Sequence, residues 1–108
     1  MSFLKNKILG LIGLATRAGG ICFGADSVEQ EMKKKKVKLI IVATDASNRT
    51  KEKFQTLSEQ NQVPIIIEGE IEILSKAIGK SNKAIIGIKN ENIAKEVMKI
   101  KNGGEHIG

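Results

Sequence analysis

The stretch Lys38-Leu39-Ile40-Ile41-Val42-Ala43 decides the fold class of this chain. It is a β-branched apolar run in which polar and apolar positions do not alternate, and this predicts a strand that is buried on both faces. Two similar runs follow at residues 63–67 and 84–88. Pro64 has no N–H to donate, so the second run is expected at a sheet edge or to begin a strand there.

Helical periodicity fills the intervals between these runs. Strands and helices therefore alternate, which predicts an α/β fold with one sheet and helices on both of its faces. The apolar stretch at residues 21–23 adds one short strand, and Ser47 is positioned to cap the third helix. We expect a single domain over residues 4–100 and a flexible tail over residues 101–108. The predicted helices cover residues 4–15, 26–36, 47–60, 71–78 and 91–100.

The turn Gly24-Ala25-Asp26-Ser27 is a candidate binding element. Either Asp26 or Ser27 can cap the helix that follows, and Ser27-Val28-Glu29-Gln30 has the spacing of a capping box. A helix N-terminus offers unpaired N–H groups and partial positive charge, which suit a phosphate or a base edge. The preceding glycine would let the backbone of a ligand approach closely. An ordinary capped helix start is the alternative interpretation.

Basic residues are concentrated in the first third of the chain. Residues 1–38 contain eight lysines and arginines against three acids, so they hold +5 of the net charge of +6. A basic region on a nearly neutral body is typical of a protein that binds a polyanion, because neutralised phosphates release counterions. The run Lys33–Lys36 has a second explanation, since lysines at a helix C-terminus also favour the helix dipole and solubility.

Patterns that would indicate an enzyme or a cofactor site are absent from the sequence. His106 is the single histidine and lies in the glycine-rich tail, and Cys22 is the single cysteine and lies in an apolar strand. The acids do not show metal-ligand spacing. The sequence therefore predicts a non-catalytic protein without a cofactor or a metal.

Apolar runs in this chain are too short for a membrane span. The longest, residues 8–15, is interrupted by Gly10 and Gly13 and is not followed by a cleavage site. We therefore expect a cytoplasmic protein that does not bind membranes.

Aromatic residues are scarce, and this restricts the kind of nucleic acid that the protein can bind. There is no Trp or Tyr, and Phe3, Phe23 and Phe54 are far apart in sequence. Proteins that read single strands stack bases on aromatic platforms. An RNA partner of this chain is thus expected to be folded and to be recognised by its shape, its backbone and one or two exposed base edges.

Four segments of the chain match one known family in order and spacing. The segments are LIGLATRAG (residues 11–19), GADSV (24–28), KLIIVATDAS (38–47) and LSKAIGK (74–80). Together they resemble the kink-turn-binding ribosomal proteins of the L-seven-Ae type and, within that family, the small bacterial YlxQ-like branch. The resemblance covers about residues 4–100.

The resemblance implies a three-layer α-β-α sandwich around a four-stranded mixed sheet. It also implies a ribosome- or translation-associated protein, expected to be a monomer, that recognises kink-turn-like RNA with two neighbouring loops. One loop is the turn at residues 24–27, and the other is Ile78-Gly79-Lys80-Ser81. A protein-interaction module on the same fold, without specific RNA binding, is the alternative function.

Three positions of the first loop region depart from the family pattern, in which the loop reads Gly-x-Asn-Glu with a lysine three residues later. Asp26, Ser27 and Gln30 stand at the Asn, Glu and Lys positions, and the second loop is shorter. In the family these side chains contact sheared G·A pairs. Asp26 can still accept hydrogen bonds from a guanine edge, and Gln30 can still donate one. Arg17, Lys33 and Lys80 are expected nearby to supply positive charge.

Overall fold

The centre of the molecule is a pair of strands that are buried along their whole length. The computed structural model describes residues 3–103. In it β2 (Leu39–Val42) and β4 (Ile85–Ile88) run antiparallel, with Val42 opposite Ile85. Every residue of both strands is buried. The prediction that residues 38–43 contain a strand covered on both faces is confirmed.

Two shorter strands complete a mixed sheet in the order β1-β4-β2-β3. Strand β1 (Ile21–Phe23) is antiparallel to β4, and β3 (Ile65–Ile67) is parallel to β2. Strand β3 is therefore an edge strand, as Pro64 predicted. The carbonyl of Pro64 accepts the N–H of Ile40 at 2.9 Å and so starts the pairing of β3 with β2.

Five helices cover the two faces of the sheet. Helices α1, α4 and α5 pack together on one side, and α2 and α3 pack together on the other. The predicted fold class, an α-β-α sandwich with a four-stranded mixed sheet, is thus confirmed. None of the helices within residues 3–103 is long and apolar enough to cross a membrane. The helices are α1 (Phe3–Arg17), α2 (Ala25–Lys33), α3 (Asn48–Asn61), α4 (Ile71–Ala77) and α5 (Glu91–Lys101).

The start of α2 differs from the sequence-based prediction. Asp26 and Ser27 lie inside the first turn of the helix, no side chain caps it, and Gly24 is the residue before its first residue. The predicted cap and capping box are therefore wrong. The reason is the backbone of Gly24, which turns at φ 88° and already accepts the N–H of Val28 at 3.0 Å. At α3 the prediction is confirmed, because the side chain of Ser47 accepts the N–H of Thr50.

The C-terminal boundary is shifted slightly. Helix α5 extends to Lys101, one residue into the predicted tail. Residues 104–108, with His106, lie outside the described residues, so the prediction of a flexible tail remains a prediction.

Gly87 has a packing role in the middle of β4. It lies opposite Cys22 on β1 and Ile40 on β2. A Cβ atom on Gly87 would lie 2.7 Å from the Sγ of Cys22 and 3.4 Å from the methyl carbons of Val37. Glycine in a strand interior costs stability, and here it is explained by this close approach of neighbouring side chains.

We predict that Gly87→Ala lowers the free energy of unfolding by roughly 1–3 kcal/mol, the usual cost of overpacking a core. Because Cys22→Ala removes the sulfur that the new methyl meets, it should cost less stability in the Gly87→Ala background than in the wild type. Urea denaturation of the four proteins in this double-mutant cycle measures both effects. Strictly additive costs would contradict the proposed clash.

Candidate functional site

Gly24 forms the junction between β1 and α2. Its φ and ψ of 88° and 148° lie close to a region of backbone conformation that is essentially limited to glycine. Its N–H donates to the carbonyl of Ile85, the first residue of β4, at 2.9 Å. A Cβ atom on Gly24 would meet nothing within 4 Å. The glycine is thus required by the backbone conformation, and the space in front of it is open.

The first turn of α2 presents hydrogen-bond donors to solvent. Ala25, Asp26 and Ser27 are exposed, and no acceptor within residues 3–103 binds their N–H groups. Gln30 is also exposed and lies one helical turn after Asp26, on the same face. The turn predicted from the sequence therefore carries three free donors, one carboxylate and one amide on a single surface.

The second loop, residues 78–84, is held in place by the buried serine at its base. The hydroxyl of Ser75 accepts the N–H of Lys83 at 2.7 Å and donates to the carbonyl of the same residue at 3.2 Å. The backbone carbonyl of Ser75 accepts the N–H of Lys80 at 2.8 Å. Ile78 is buried, so of the predicted loop residues it anchors the loop, whereas Gly79 and Lys80 are exposed.

Two lysines of the second loop reach across to the end of β1. The Nζ of Lys80 lies 5.3 Å from the centre of the Phe23 ring, and that of Lys83 lies 5.5 Å from it. An ammonium group over an aromatic face is attracted to the ring. Because Phe23 directly precedes Gly24, these contacts place two positive charges beside the N-terminus of α2. Sequence reasoning missed Phe23 and Lys83 as site residues, since only strand pairing brings them together.

A cleft of about 710 Å³ lies next to the second loop. The carboxylate of Asp45 closes one side of it and accepts the N–H of Ile71 at 2.8 Å, which connects the turn after β2 to the start of α4. The lining combines apolar surface with side chains of both charges, so it offers hydrogen-bond donors and acceptors to a bound group. The lining residues are Asp45, Ile71, Glu72, Ser75, Lys76, Lys80, Ser81 and Asn82.

Two predicted site residues lie outside the two loops. Arg17 lines a neighbouring cleft between α1 and α4, which shares Lys76 with the cleft at the second loop. Lys33 lies two helical turns beyond Asp26, and its Nζ is 3.7 Å from a carboxylate oxygen of Glu29. The structure thus brings together the predicted residues of the two loops, with Gln30 beside them. It places Arg17 in the neighbouring cleft and pairs Lys33 with Glu29.

Lys35 and Lys38 of the basic first third lie at the opposite end of the sheet. The N–H of Lys38 donates to the carbonyl of Ile88, the last residue of β4, at 2.7 Å. Gly24 binds the carbonyl at the other end of the same strand. We call the end of the strands at which the two loops lie the loop edge, and the opposite end of the strands the far edge. Neither name refers to an edge strand of the sheet.

The titratable groups of the described chain do not form a reactive centre. Burial raises the pKa of the Cys22 thiol to about 11, so this side chain is protonated at neutral pH. Residues 3–103 contain no group of three or more His, Cys, Asp or Glu that could hold a metal ion. The chemistry available at the loop edge is hydrogen bonding and attraction between charges.

Comparison with known proteins places the chain among relatives of similar length. RNA-binding protein YlxQ of Enterococcus faecium is 35% identical over 100 residues, which are 92% of this chain and 95% of that protein. RNA-binding protein YlxQ of Bacillus subtilis (strain 168) is 27% identical over 90 residues, which are 83% and 90% of the two chains.

Solved structures show the same fold. A protein with unknown function from Bacillus halodurans superposes with a TM-score of 0.85 at 30% identity, covering 89% of this chain and 97% of that one. A 15.5kD RNA binding protein from Giardia lamblia has a TM-score of 0.79 at 22% identity, with coverages of 94% and 91%. The second likeness is one of fold alone.

A family model described as Ribosomal protein L7Ae/L30e/S12e/Gadd45 family matches residues 6–98. This match spans nearly all of the described chain and includes the four segments from which the sequence predicted a family. The chain therefore belongs to the ribosomal protein L7Ae/L30e/S12e/Gadd45 family, as the resemblance predicted.

Proposed function

We propose that this protein binds structured RNA of the kink-turn type at its loop edge and works in the cytoplasm with the ribosome or the translation machinery. The observation that carries the proposal is the pair of lysines over Phe23, beside the free N–H groups of α2. The family and the names of the relatives point to a non-enzymatic RNA-binding protein.

The loop edge favours a folded RNA over a single strand. Phe23 is half-buried and is approached by two ammonium groups, so its ring is not a free platform for a base. Phe54 is fully buried. Because neither Phe23 nor Phe54 offers a free platform, recognition at the loop edge must depend on backbone shape and on base edges that the RNA itself holds in place.

A kink-turn supplies the groups that this surface can bind. Its phosphates suit Lys80, Lys83 and the free N–H groups at the start of α2. The exposed edges of sheared G·A pairs suit the carboxylate of Asp26, which accepts, and the amide of Gln30, which can donate. The cleft beside the second loop offers room and polar partners for a base that has left the stack.

A protein-interaction module on the same fold is less favoured. Such a module needs a contiguous exposed apolar patch. Among the described residues, Leu14 is the single large hydrophobic side chain classed as exposed, at 47%. One exposed leucine is well below the area of a stable protein interface.

The first prediction for this function separates shape from charge. A kink-turn stem should compete for the protein better than a plain RNA duplex of equal length and charge, because only the kink-turn presents splayed bases and sheared pairs to the two loops. Competition titrations with a labelled kink-turn stem measure the ratio. Equal competition by the two RNAs would mean that the lysines attract polyanions indiscriminately, and the proposal would fail.

A second prediction tests the serine that holds the second loop. Ser75→Ala leaves the N–H and the carbonyl of Lys83 without their partner, so the free energy of unfolding should fall by roughly 1–3 kcal/mol. Because Lys83 would lose its fixed position, kink-turn affinity should also fall under conditions where the variant is fully folded. Calorimetric titration and urea denaturation measure the two effects.

Ser58→Ala is a matched control for Ser75→Ala. The Ser58 hydroxyl is also buried and donates to a backbone carbonyl, that of Val63, but it lies at the far edge. It should cost stability and leave kink-turn affinity unchanged. A parallel loss of affinity in both variants would show that the effect is one of general stability and not of loop position.

The last prediction for this function concerns Asp26. If its carboxylate accepts from guanine, Asp26→Ala should weaken kink-turn binding by roughly 1–3 kcal/mol, the usual value of a specific base contact. Stability should hardly change, because this carboxylate does not cap the helix. Lys80→Ala is the control and should weaken binding to all RNAs alike, since a phosphate contact carries no base information. A double-mutant cycle between Asp26 and the guanine that shows no coupling would refute the contact.

A further inference from the structure

The far edge of the sheet carries a cluster of exposed lysines that is separate from the loop edge. We call this cluster of lysines the basic edge. It surrounds two neighbouring clefts of about 410 and 310 Å³, which share Lys38 and Pro64 in their linings. The cluster consists of Lys35, Lys36 and Lys38 between α2 and β2, and Lys95 and Lys99 on α5.

The nearby carboxylates of α2 are already neutralised by other lysines. Glu29 pairs with Lys53 at 3.1 Å and with Lys33 at 3.7 Å, and the hydrogen bond from Lys53 lowers its pKa. Glu31 pairs with Lys89 at 3.3 Å, which lowers its pKa in the same way. Both acids are therefore ionised and paired at neutral pH. Glu31 is also attracted to Lys36, but it already pairs with Lys89 and Lys34, so it offsets only part of the charge of the basic edge.

One carboxylate lines the two clefts, that of Glu91, and it lies 3.5 Å from the Nζ of Lys95. Four of the five lysines of the basic edge have no ion-pair partner within residues 3–103. They are Lys35, Lys36, Lys38 and Lys99. The surface thus carries a net positive charge that its own surroundings do not compensate.

Lys35 has a backbone conformation that glycine would adopt with a smaller loss of stability. The N–H of Lys36 donates to the carbonyl of Glu31 at 3.0 Å, and that of Lys35 donates to the carbonyl of Met32 at 2.9 Å. This is the Schellman pattern, whose left-handed residue is usually glycine. Lys35 has φ 61°, a conformation that costs a non-glycine residue stability. Its charge is the property that glycine would not supply.

Helix α3 ends in the same way and provides an internal comparison. Gln62 has φ 55°, and the N–H groups of Gln62 and Val63 donate to the carbonyls of Glu59 and Ser58 at 3.4 and 3.0 Å. Gln62 lines the same cleft as Lys35. The two residues therefore share a backbone conformation and a location but differ in charge.

We propose that the basic edge binds the phosphate backbone of a second, double-helical RNA segment while the loop edge holds the first. The first cleft carries two lysines and the amides of residues 60–62, and the second carries three lysines and Glu91 around apolar side chains. Neither cleft has an aromatic residue on which a base could stack, so the lysines and amides suit phosphate oxygens and ribose hydroxyls. Gly24 of the loop edge and Lys38 of the basic edge hydrogen bond to Ile85 and Ile88, at opposite ends of β4. The two surfaces are therefore separate, and each can bind its own RNA segment at the same time. This inference rests on the proposed function, because it takes the polyanion bound at the basic edge to be RNA.

The test titrates a plain RNA duplex, without a kink-turn, against wild-type protein and the double variant Lys35→Gly, Lys38→Gln over a range of salt concentrations. The slope of log affinity against log salt should become shallower by roughly 1 for each lysine removed. Affinity for a minimal kink-turn stem should stay unchanged, because the loop edge is intact. The single variant Lys35→Gly should unfold at a higher urea concentration than the wild type.

Gln62→Gly is the matched control. It relieves the same backbone conformation in the same cleft, so it should also unfold at a higher urea concentration, but without any change in the salt slope. A shallower slope for Gln62→Gly, or equal slopes for the wild type and the double variant, would overturn the proposal.

A second measurement separates this proposal from the proposed function. Wild-type protein bound to an immobilised kink-turn stem should recruit a free duplex, and the double variant should not. If the kink-turn stem shows no advantage over the duplex, but the slope still falls in the double variant, the proposed function fails and the basic edge stands. If the kink-turn preference holds and neither protein recruits the duplex, the basic edge proposal fails alone.

Discussion

Strand β4 constrains the rest of the structure because it is buried on both faces and hydrogen bonds to a strand on each side. A strand in this position must satisfy all its backbone groups within the protein, since water does not reach them. The backbone carbonyls at the two ends of β4 accept hydrogen bonds from residues in the loops that precede α2 and β2. The carbonyl of Ile85 accepts the N–H of Gly24, and that of Ile88 accepts the N–H of Lys38. Each end of β4 therefore positions one surface of the molecule.

The two surfaces positioned in this way differ in chemistry. At the loop edge, backbone donors and short side chains are fixed by hydrogen bonds such as those of Ser75 with Lys83. Fixed donors can distinguish one RNA shape from another, because a misplaced partner leaves them unsatisfied. At the basic edge, long exposed lysines carry charge without a fixed geometry, and such groups add affinity and little base information. Under the two proposals, the loop edge selects one RNA and the basic edge holds another.

Left-handed backbone positions occur on both surfaces and are occupied by different residue types. In the loops, these positions are taken by Gly24, Gly79 and Asn82, residue types that adopt the conformation at low cost. At the far edge they include Gly19 but also Lys35 and Gln62, which adopt the conformation at a higher cost. Gln62 loses stability through the same conformation but carries no charge. It is therefore the appropriate reference for the effect of charge at Lys35.

The sequence by itself determined the elements and the fold class. The apolar run at residues 38–43 predicts a buried strand, and alternation of strands and helices predicts the layers, because burial and periodicity are local properties of a chain. Four short segments were enough to identify the family and the two loops. Tertiary structure alone decided the rest. Asp26 does not cap α2, since a hydrogen bond to Ile85, far along the chain, sets the conformation of Gly24. Lys83 meets Phe23 because strand pairing brings together residues that no local sequence pattern connects.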